Sequence, residues 1–219
     1  ANTTDEAHAA GEASIDMLIC DSKNVETVRK GNSELFLTAA LVIPEYPTDS
    51  DLLRGAFKAL AQGADAVMTA RSMSIVSLLA NEDIPVMGHL GLVPRKSTWV
   101  GGLRAVGKNA DEAFDLFQNF KRLENAGAFS VEAEVIPGLV LREISKRTTL
   151  ITVSLGSGKW GDVTYLFMED ICGEKADAPK HAKSFGNIYK LREMIKEERI
   201  NSLKEFRKSS LDEKFPSDQ

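Results

Sequence analysis

Short apolar runs alternate along the chain with longer stretches in which apolar residues recur at helical spacing. The apolar runs predict seven β-strands, at residues 16–20, 34–41, 65–69, 85–88, 129–135, 150–155 and 163–168. The amphipathic stretches predict six helices, at residues 5–13, 25–30, 49–62, 73–81, 110–126 and 138–146. Strands that are continuously apolar and are each followed by a helix indicate parallel pairing with both faces of the sheet covered. The pattern predicts the α/β class.

The number of repeating units narrows the architecture. A short stub at residues 1–4 would add an eighth strand to the seven, and eight strand–helix units close a (β/α)8 TIM barrel, whereas six or fewer suit an open doubly wound sheet. We expect a barrel at residues 1–172. Residues 173–219 are rich in charge and predict a helical extension that packs on the barrel or on a neighbouring subunit, with one apolar face formed by Ile188, Leu191, Ile195, Leu203 and Phe206.

Charge and composition limit the partners. The 219 residues include 27 Lys and Arg against 32 Asp and Glu, a net charge of -5, so no basic field attracts nucleic acid or an anionic membrane. No apolar run reaches the roughly 20 residues of a membrane helix, and the first residues do not resemble a secretory signal. Cys20 and Cys172 have no metal-site spacing and are expected to be reduced thiols. We expect a cytoplasmic protein that binds a small molecule.

Candidate chemistry lies where the predicted strands end, because the loops at that face of a barrel carry the site. Asp21 and Ser22 follow the first strand, His89 follows the fourth, and Glu134 ends the fifth. Each has a structural alternative: Asp21 could cap a helix, His89 could be a hydrogen-bonded structural imidazole, and Glu134 could pair with an arginine such as Arg104. Side chains two apart share a strand face, which places Glu132 and Glu134 together, and Glu134, nearer the strand end, is the better candidate for a general base.

Several segments closely resemble the ketopantoate hydroxymethyltransferase family. The most specific is Gly88-His89-Leu90-Gly91-Leu92-Val93-Pro94. Further similar segments follow in the same order as in the family: Val100 to Lys108, Leu123 to Ala128, Glu134-Val135-Ile136-Pro137, Leu155-Gly156-Ser157-Gly158, and Pro179 to Pro216. The resemblance covers nearly the whole chain. It implies a (β/α)8 barrel of the phosphoenolpyruvate mutase and isocitrate lyase superfamily that assembles as a homo-oligomer.

The resemblance also implies a reaction. Family members bind a 2-oxo acid with magnesium, enolise it with a glutamate base and add the one-carbon unit of methylenetetrahydrofolate. By resemblance, Asp21 is a metal ligand that also contacts substrate, Ser22 and His89 bind the oxo acid, and Glu134 accepts the proton. A metal that chelates a 2-oxo carboxylate polarises its carbonyl, which suits removal of the adjacent proton by a carboxylate.

The chain departs from the family at three positions of this site. Ala40 stands where the family has its second metal-binding aspartate, Met68 where it has a substrate-binding lysine, and Ala70 where it has a metal-associated glutamate. Glu45 and Arg71 are possible substitutes for the lost ligand and the lost cation. The chain is also shorter than the family between Ser22 and Gly31, through either a deletion or an omitted loop.

Two functions remain open on the sequence alone. The first is a divergent enzyme that forms or cleaves a C–C bond in a small 2-oxo acid, with 3-methyl-2-oxobutanoate as the parent substrate. The alternative is a non-catalytic homologue that serves as a binding or oligomer-building subunit. An unrelated doubly wound binding protein would make the collinear segments coincidental.

Overall fold

Seven parallel strands alternate with helices in a computed structural model, which describes residues 1–177 and 182–216. The strands are β1 (Met17–Asp21), β2 (Phe36–Ala40), β3 (Ala66–Met68), β4 (Val86–Gly91), β5 (Ser130–Glu134), β6 (Ile151–Leu155) and β7 (Val163–Tyr165). The helices are α1 (Thr4–Glu12), α2 (Val25–Gly31), α3 (Asp49–Ala61), α4 (Met73–Ala80), α5 (Ala110–Asn125), α6 (Gly138–Ser145), α7 (Met168–Ile171) and α8 (Ile188–Leu211). All seven predicted strands and all six predicted helices are confirmed, with small shifts at their ends.

Local sequence explains where the longer helices begin. Thr48 accepts a hydrogen bond from the amide of Asp51 while the Asp51 side chain accepts from the amide of Thr48, a reciprocal cap at the start of α3. Asn109 accepts from the amide of Glu112 in the same way at the start of α5. These caps satisfy amides that the first helical turn leaves unpaired, and they fix the loops that lead out of β2 and β4.

The strands pair in chain order, β1 to β7, and the register gives the sheet two different faces. The face that packs against the helices is apolar: Val67, Val86, Val131 and Ala133 belong to one buried cluster with side chains of α3, α4, α5 and α6. The other face carries the ionisable residues of the strand ends, Asp21, His89, Glu132 and Glu134. Burial of the apolar face against the helices supplies the core, and it leaves the opposite face to hold the site.

The architecture is that of a TIM barrel with seven strands in the described part of the chain, and the expected eighth strand is wrong. Residues 1–4 do not join the sheet, because Thr3 caps α1 and helix α1 begins at Thr4. The amino group of Ala1 donates one hydrogen bond to the Ile19 carbonyl, 2.9 Å away, in place of strand pairing. The shortening near the first two strands is also visible: β1 runs through a single 3₁₀ turn into the seven-residue α2.

The chain divides into two compact units, the first Ala1–Leu166 and the second beginning at Phe167. The first unit contains the sheet and helices α1 to α6. The second contains α7 and the 24-residue α8, in which no residue is buried and Leu191, Ile195, Leu203 and Phe206 are exposed. The predicted domain boundary at 172/173 stays a prediction, and Pro179, Lys180 and His181 of the resembling C-terminal segment lie outside the described residues.

Within the described residues, no helix combines the length and the apolar character that crossing a membrane requires. No disulfide joins Cys20 to Cys172 in that part of the chain, and Cys20 is buried. Burial raises the pKa of the Cys20 thiol to about 11, against the opposing charge of the nearby chain terminus. Cys20 is therefore a neutral core side chain at physiological pH.

Candidate active site

Three ionisable side chains meet at the carboxyl ends of β4 and β5. His89 and Glu132 are direct partners in the register of the two strands, and Gly91 and Glu134 are the next pair on the same face. Val131 and Ala133 alternate with the two glutamates and point toward the helices. The alternation of apolar and acidic residues in Ser130-Val131-Glu132-Ala133-Glu134 therefore places both carboxyl groups on the face that His89 occupies.

The three groups form a compact cluster in which a hydrogen bond joins His89 to Glu134. Nε2 of His89 lies 2.9 Å from Oε2 of Glu134, 3.6 Å from Oε1 of Glu132 and 3.1 Å from the carbonyl oxygen of Leu92. Glu132 is 4% exposed and Glu134 is 8% exposed. Because the Leu92 carbonyl can only accept, Nε2 carries the proton and donates it toward these oxygens. The imidazole thus holds one oxygen of Glu134 in place.

The environment shifts the pKa of both His89 and Glu132. Burial alone would lower the pKa of His89, but the hydrogen bond to Glu134 and the charges of Glu132 and Glu134 outweigh burial and raise it above its ordinary value. Burial raises the pKa of Glu132; the charge of Glu134 adds to this shift, and the charge of His89 opposes it. An imidazolium between two buried carboxyl groups is the arrangement that these directions favour.

The backbone around Glu134 is held by a buried serine. Ser157 donates to the carbonyl oxygen of Ala133 and accepts from the amide of Ile136, each at 2.8 Å, so it bridges the two sides of Glu134. Val135 has φ of 48°, a conformation that β-branched residues avoid at a cost of roughly 1–3 kcal/mol. Gly91 approaches so closely that a Cβ there would lie 2.2 Å from the Glu134 carbonyl oxygen. Glu134 is therefore fixed by its surroundings.

The ends of β1 to β3 are poor in polar groups by comparison. The register places Asp21 beside Ala40 and Ala40 beside Met68, so this row contains one carboxylate across three strands. Ser22 is buried, and its hydroxyl is 2.7 Å from the Tyr46 hydroxyl. Magnesium binds through several oxygen ligands in an octahedral arrangement. The donor set at Asp21 does not fit that requirement.

A metal ion would find a more suitable donor set at the other cluster. One ligand atom from each of His89, Glu132 and Glu134 lies within 4.8 Å of the other two. One imidazole nitrogen with two carboxylate oxygens suits zinc, manganese or iron better than magnesium. These three residues could hold such an ion once Nε2 of His89 has given up its proton, and the two carboxylates would then balance the charge of the metal.

The structure excludes the structural alternatives proposed for Glu134 and Asp21. Glu134 does not pair with Arg104, whose guanidinium binds Glu112 at 2.8 and 3.2 Å. Asp21 stands at the start of a 3₁₀ turn without a capping hydrogen bond from its side chain. The residue that sequence reasoning undervalued is Glu132, which lies deeper in the strand than Glu134. Its spacing of two from Glu134 was a signal, but the register that sets it beside His89 could not be read from the chain.

Comparison with known proteins agrees with this architecture. The family model for ketopantoate hydroxymethyltransferase matches residues 2–218. The chain is 32% identical to 3-methyl-2-oxobutanoate hydroxymethyltransferase of Pyrobaculum islandicum over 76% of its length and 65% of that protein. It is 30% identical to the protein of the same name from Caldivirga maquilingensis over 92% of its length and 74% of that protein.

Among solved structures, 2,3-dimethylmalate lyase, a PEP mutase/isocitrate lyase superfamily member, shares the fold with a TM-score of 0.56 and 12% identity. The similarity covers 94% of this chain and 80% of that one. The chain spans about two thirds to three quarters of the length of the curated relatives described above. The family match over nearly the whole length and the shared fold lead to one conclusion: the chain belongs to the ketopantoate hydroxymethyltransferase family.

Proposed function

We propose that the protein is a divergent ketopantoate hydroxymethyltransferase-type enzyme that enolises a small 2-oxo acid and forms a C–C bond at the resulting carbanion. The observation that carries the proposal is the 2.9 Å hydrogen bond between His89 and Glu134 in a buried position at the ends of β4 and β5. A carboxylate that is desolvated and fixed at a strand end suits the removal of a proton adjacent to a carbonyl. The parent substrate of the family, 3-methyl-2-oxobutanoate, has one such proton, at C3.

Each residue of the site has a part in this proposal. Glu134 accepts the C3 proton on Oε1, since Oε2 is held by His89. The His89 imidazolium orients Glu134 and offsets the negative charge that develops nearby in the enolate. Glu132 keeps His89 protonated and in place. Asp21 and Ser22 contact the oxo acid from the ends of β1, where Ser22 is already oriented by Tyr46.

The second substrate and the metal follow from the family and belong to the proposal. The one-carbon unit comes from methylenetetrahydrofolate: C3 of the enolate bonds to the methylene carbon, the two C–N bonds of that carbon break, water supplies the hydroxyl group, and tetrahydrofolate leaves. No step of the reaction is assigned to magnesium, because Asp21 is the single carboxylate among the aligned residues Asp21, Ala40 and Met68. C–C cleavage in a related 2-oxo acid would be the reverse reaction, in which protonated Glu134 returns its proton to the enolate carbon.

Exchange of the C3 proton tests the proposal without the second substrate. The protein is incubated with 3-methyl-2-oxobutanoate in D2O, and loss of the C3 proton signal is followed by NMR. We expect Glu134→Gln to slow exchange by at least about 100-fold, the lower end for a general base. Glu143→Gln is the matched control, because Glu143 forms surface ion pairs with Arg147 and Lys146 on α6. Exchange with the wild type no faster than without protein would instead favour a non-catalytic subunit, and equally accelerated exchange in the wild type and Glu134→Gln would contradict Glu134 as the base.

We further propose a cytoplasmic homo-oligomer. The exposed apolar side chains of α8, among them Leu203 and Phe206, would be covered in contacts between copies of the chain. Light scattering of the wild type against Leu203→Glu measures this, and an oligomer in the wild type that dissociates in the variant supports it. A monomer in both would contradict it. No nucleic-acid or membrane partner is part of the proposal.

A further inference from the structure

The Glu132 carboxylate is buried without a hydrogen bond. Its side chain is 5% exposed, and its ion-pair contact with Nε2 of His89 spans 3.6 Å. Among the hydrogen bonds of residues 1–177 and 182–216, none ends on this carboxylate, whereas Glu134 accepts one from His89 at 2.9 Å. A carboxylate that loses its water on burial is ordinarily compensated by hydrogen bonds or by a metal ion. Glu132 has no such hydrogen bonds, although it lies beside other donor atoms.

The donor atoms around Nε2 of His89 are spaced like the ligands of one metal ion. Zinc binds nitrogen and oxygen ligands at about 2.0–2.2 Å, so neighbouring ligands of a tetrahedral or octahedral ion lie about 2.8–3.6 Å apart. Nε2 is 2.9 Å from Oε2 of Glu134, 3.1 Å from the Leu92 carbonyl oxygen and 3.6 Å from Oε1 of Glu132. The ligand atoms of the two glutamates lie within 4.8 Å of each other. One nitrogen and three oxygens therefore converge on one place.

These ligands are fixed by the fold. His89 and Glu132 are direct partners in the pairing of β4 with β5, and Ser157 holds the backbone on both sides of Glu134 through hydrogen bonds of 2.8 Å. Ligands on paired strands are positioned more precisely than ligands on loops. Because the side chains are already buried and oriented, an ion that binds them has little conformational entropy to remove.

The chemistry of the donors favours a transition metal. An imidazole nitrogen is a common ligand of zinc, copper, iron and nickel, whereas magnesium prefers oxygen ligands and retains its waters. The carboxylates of Glu132 and Glu134 carry two negative charges, which equal the charge of a divalent ion. A zinc ion with a neutral His89 would thus leave the buried cluster with no net charge.

We infer that His89, Glu132 and Glu134, together with the Leu92 carbonyl oxygen, bind a divalent transition-metal ion such as zinc, and that the bound ion prevents Glu134 from acting as a base. The ion takes the place of the proton on Nε2, which passes to solvent as the metal–nitrogen bond forms. A lone pair of Glu134 that is shared with the ion is no longer available to a substrate proton. The metal site follows from the donor atoms alone, whereas its inhibitory effect rests on the proposed function.

Calorimetric titration of the full chain with zinc chloride tests the metal site, after treatment with EDTA and dialysis. We expect one tight site per chain, with a Kd at least about tenfold lower than that of magnesium. Glu132→Gln keeps the size of the side chain and removes its charge. It should raise the Kd of zinc at least about 100-fold, because even the outer partners of metal ligands are worth 10–100-fold. Glu143→Gln on α6 and Asp21→Asn at the end of β1 are controls that should bind zinc as the wild type does.

Cobalt(II) in place of zinc gives a second readout, since its visible absorption reports on the ligands. The absorption bands of the loaded wild type should be absent in Glu132→Gln and in His89→Gln. They should persist in the matched control His8→Gln, because His8 is exposed on α1. Circular dichroism establishes that each variant is folded.

Four results would overturn the metal site. They are no zinc binding by the wild type, wild-type affinity in both Glu132→Gln and His89→Gln, a loss of affinity in Asp21→Asn as large as that in Glu132→Gln, and magnesium binding as tight as zinc binding. The third result would place the ion at the ends of β1 to β3 instead.

C3 exchange separates the inhibitory effect from the proposed function. Saturating zinc should slow exchange by the wild type at least about 100-fold, as expected for loss of a general base, with zinc and the oxo acid without protein as the blank. Unchanged or faster exchange with zinc bound would contradict the inhibitory effect. Exchange in metal-free Glu134→Gln as fast as in the metal-free wild type would contradict the proposed base, and the titration would still decide the metal site.

Discussion

The two halves of the sheet differ in the charged residues at the ends of their strands. At the ends of β1, β2 and β3, the aligned residues are Asp21, Ala40 and Met68, one carboxylate with two apolar neighbours. At the ends of β4 and β5, the buried His89 side chain is hydrogen-bonded to Glu134 at 2.9 Å and lies 3.6 Å from the buried Glu132 carboxylate. By the resemblance, the first half corresponds to the family's metal site and has Ala40 and Ala70 at two of its ligand positions. The second half, with the proposed base, carries three ionisable groups.

The free energy of burial explains why this difference is informative. Burying ionised groups costs several kcal/mol each unless they are paired, and replacing a buried ion pair with apolar residues is often neutral or stabilising. A barrel kept only as a scaffold would gain little from Glu132, Glu134 and His89. Perturbed ionisable groups in a fixed geometry are instead typical of catalytic sites.

The largest expected effect on stability comes from removing His89, the cation at the ends of β4 and β5. His89→Leu leaves two buried carboxyl groups without their partner and should lower the free energy of unfolding by about 3–5 kcal/mol near pH 6. The folded-state pKa of His89 is raised from 6.5, so its stabilisation is complete below pH 6.5 and is lost as the pH rises through the folded pKa. The difference between the two proteins should therefore narrow toward alkaline pH.

Urea unfolding at a series of pH values measures this difference. His8→Leu is the control, because His8 is an exposed residue of α1 and should unfold as the wild type does at each pH. A difference for His89→Leu that stays below about 1 kcal/mol, or that grows as the pH rises, would contradict the buried imidazolium.

Adding a second carboxylate at the ends of β1 to β3 should create a metal site there. Ala40→Asp sets a second carboxylate beside Asp21 in the strand register. At a magnesium concentration about 100 times the Kd, binding would stabilise the variant by about 2.7 kcal/mol. Thermal unfolding with and without magnesium measures the gain, and Ala40→Asn keeps the size without the charge. Equal stabilisation of the wild type by magnesium would show that Asp21 and its neighbours at the ends of β1 to β3 already bind the ion.

A smaller effect compares the two buried serines of the two halves. Ser157→Ala removes two hydrogen bonds to the backbone on either side of Glu134 and should cost about 2 kcal/mol. Ser22→Ala removes one contact with a hydroxyl that can turn to another partner, and should cost about 1 kcal/mol. Urea unfolding measures the loss of unfolding free energy in each variant. A larger loss in Ser22→Ala than in Ser157→Ala would mean that the backbone near Asp21 is held more firmly than the backbone near Glu134.

The hydrophobic pattern was sufficient to predict most of the fold. Continuous apolar runs located all seven strands, and the amphipathic spacing placed the start of α3 correctly at Asp49. The stub at residues 1–4 was the error, because nothing in Ala1-Asn2-Thr3-Thr4 separates an edge strand from a helix cap. The cap at Thr3 and the acidic first turn that follows it were the better signal.

The site was less accessible to sequence reasoning, because it depends on register and on loop conformation. The ends of the strands pointed to Asp21, Ser22, His89 and Glu134. That His89 faces Glu132 follows from how β4 aligns with β5, which no local pattern determines.

The most direct test of the account compares C3 exchange in Glu134→Gln and Asp21→Asn within one assay. Both variants remove one carboxylate charge from a strand end, one in each half of the sheet. The account predicts a loss of at least about 100-fold in Glu134→Gln and of less than about tenfold in Asp21→Asn. A larger loss in Asp21→Asn than in Glu134→Gln would contradict it, since the chemistry would then depend on the half of the sheet with a single carboxylate.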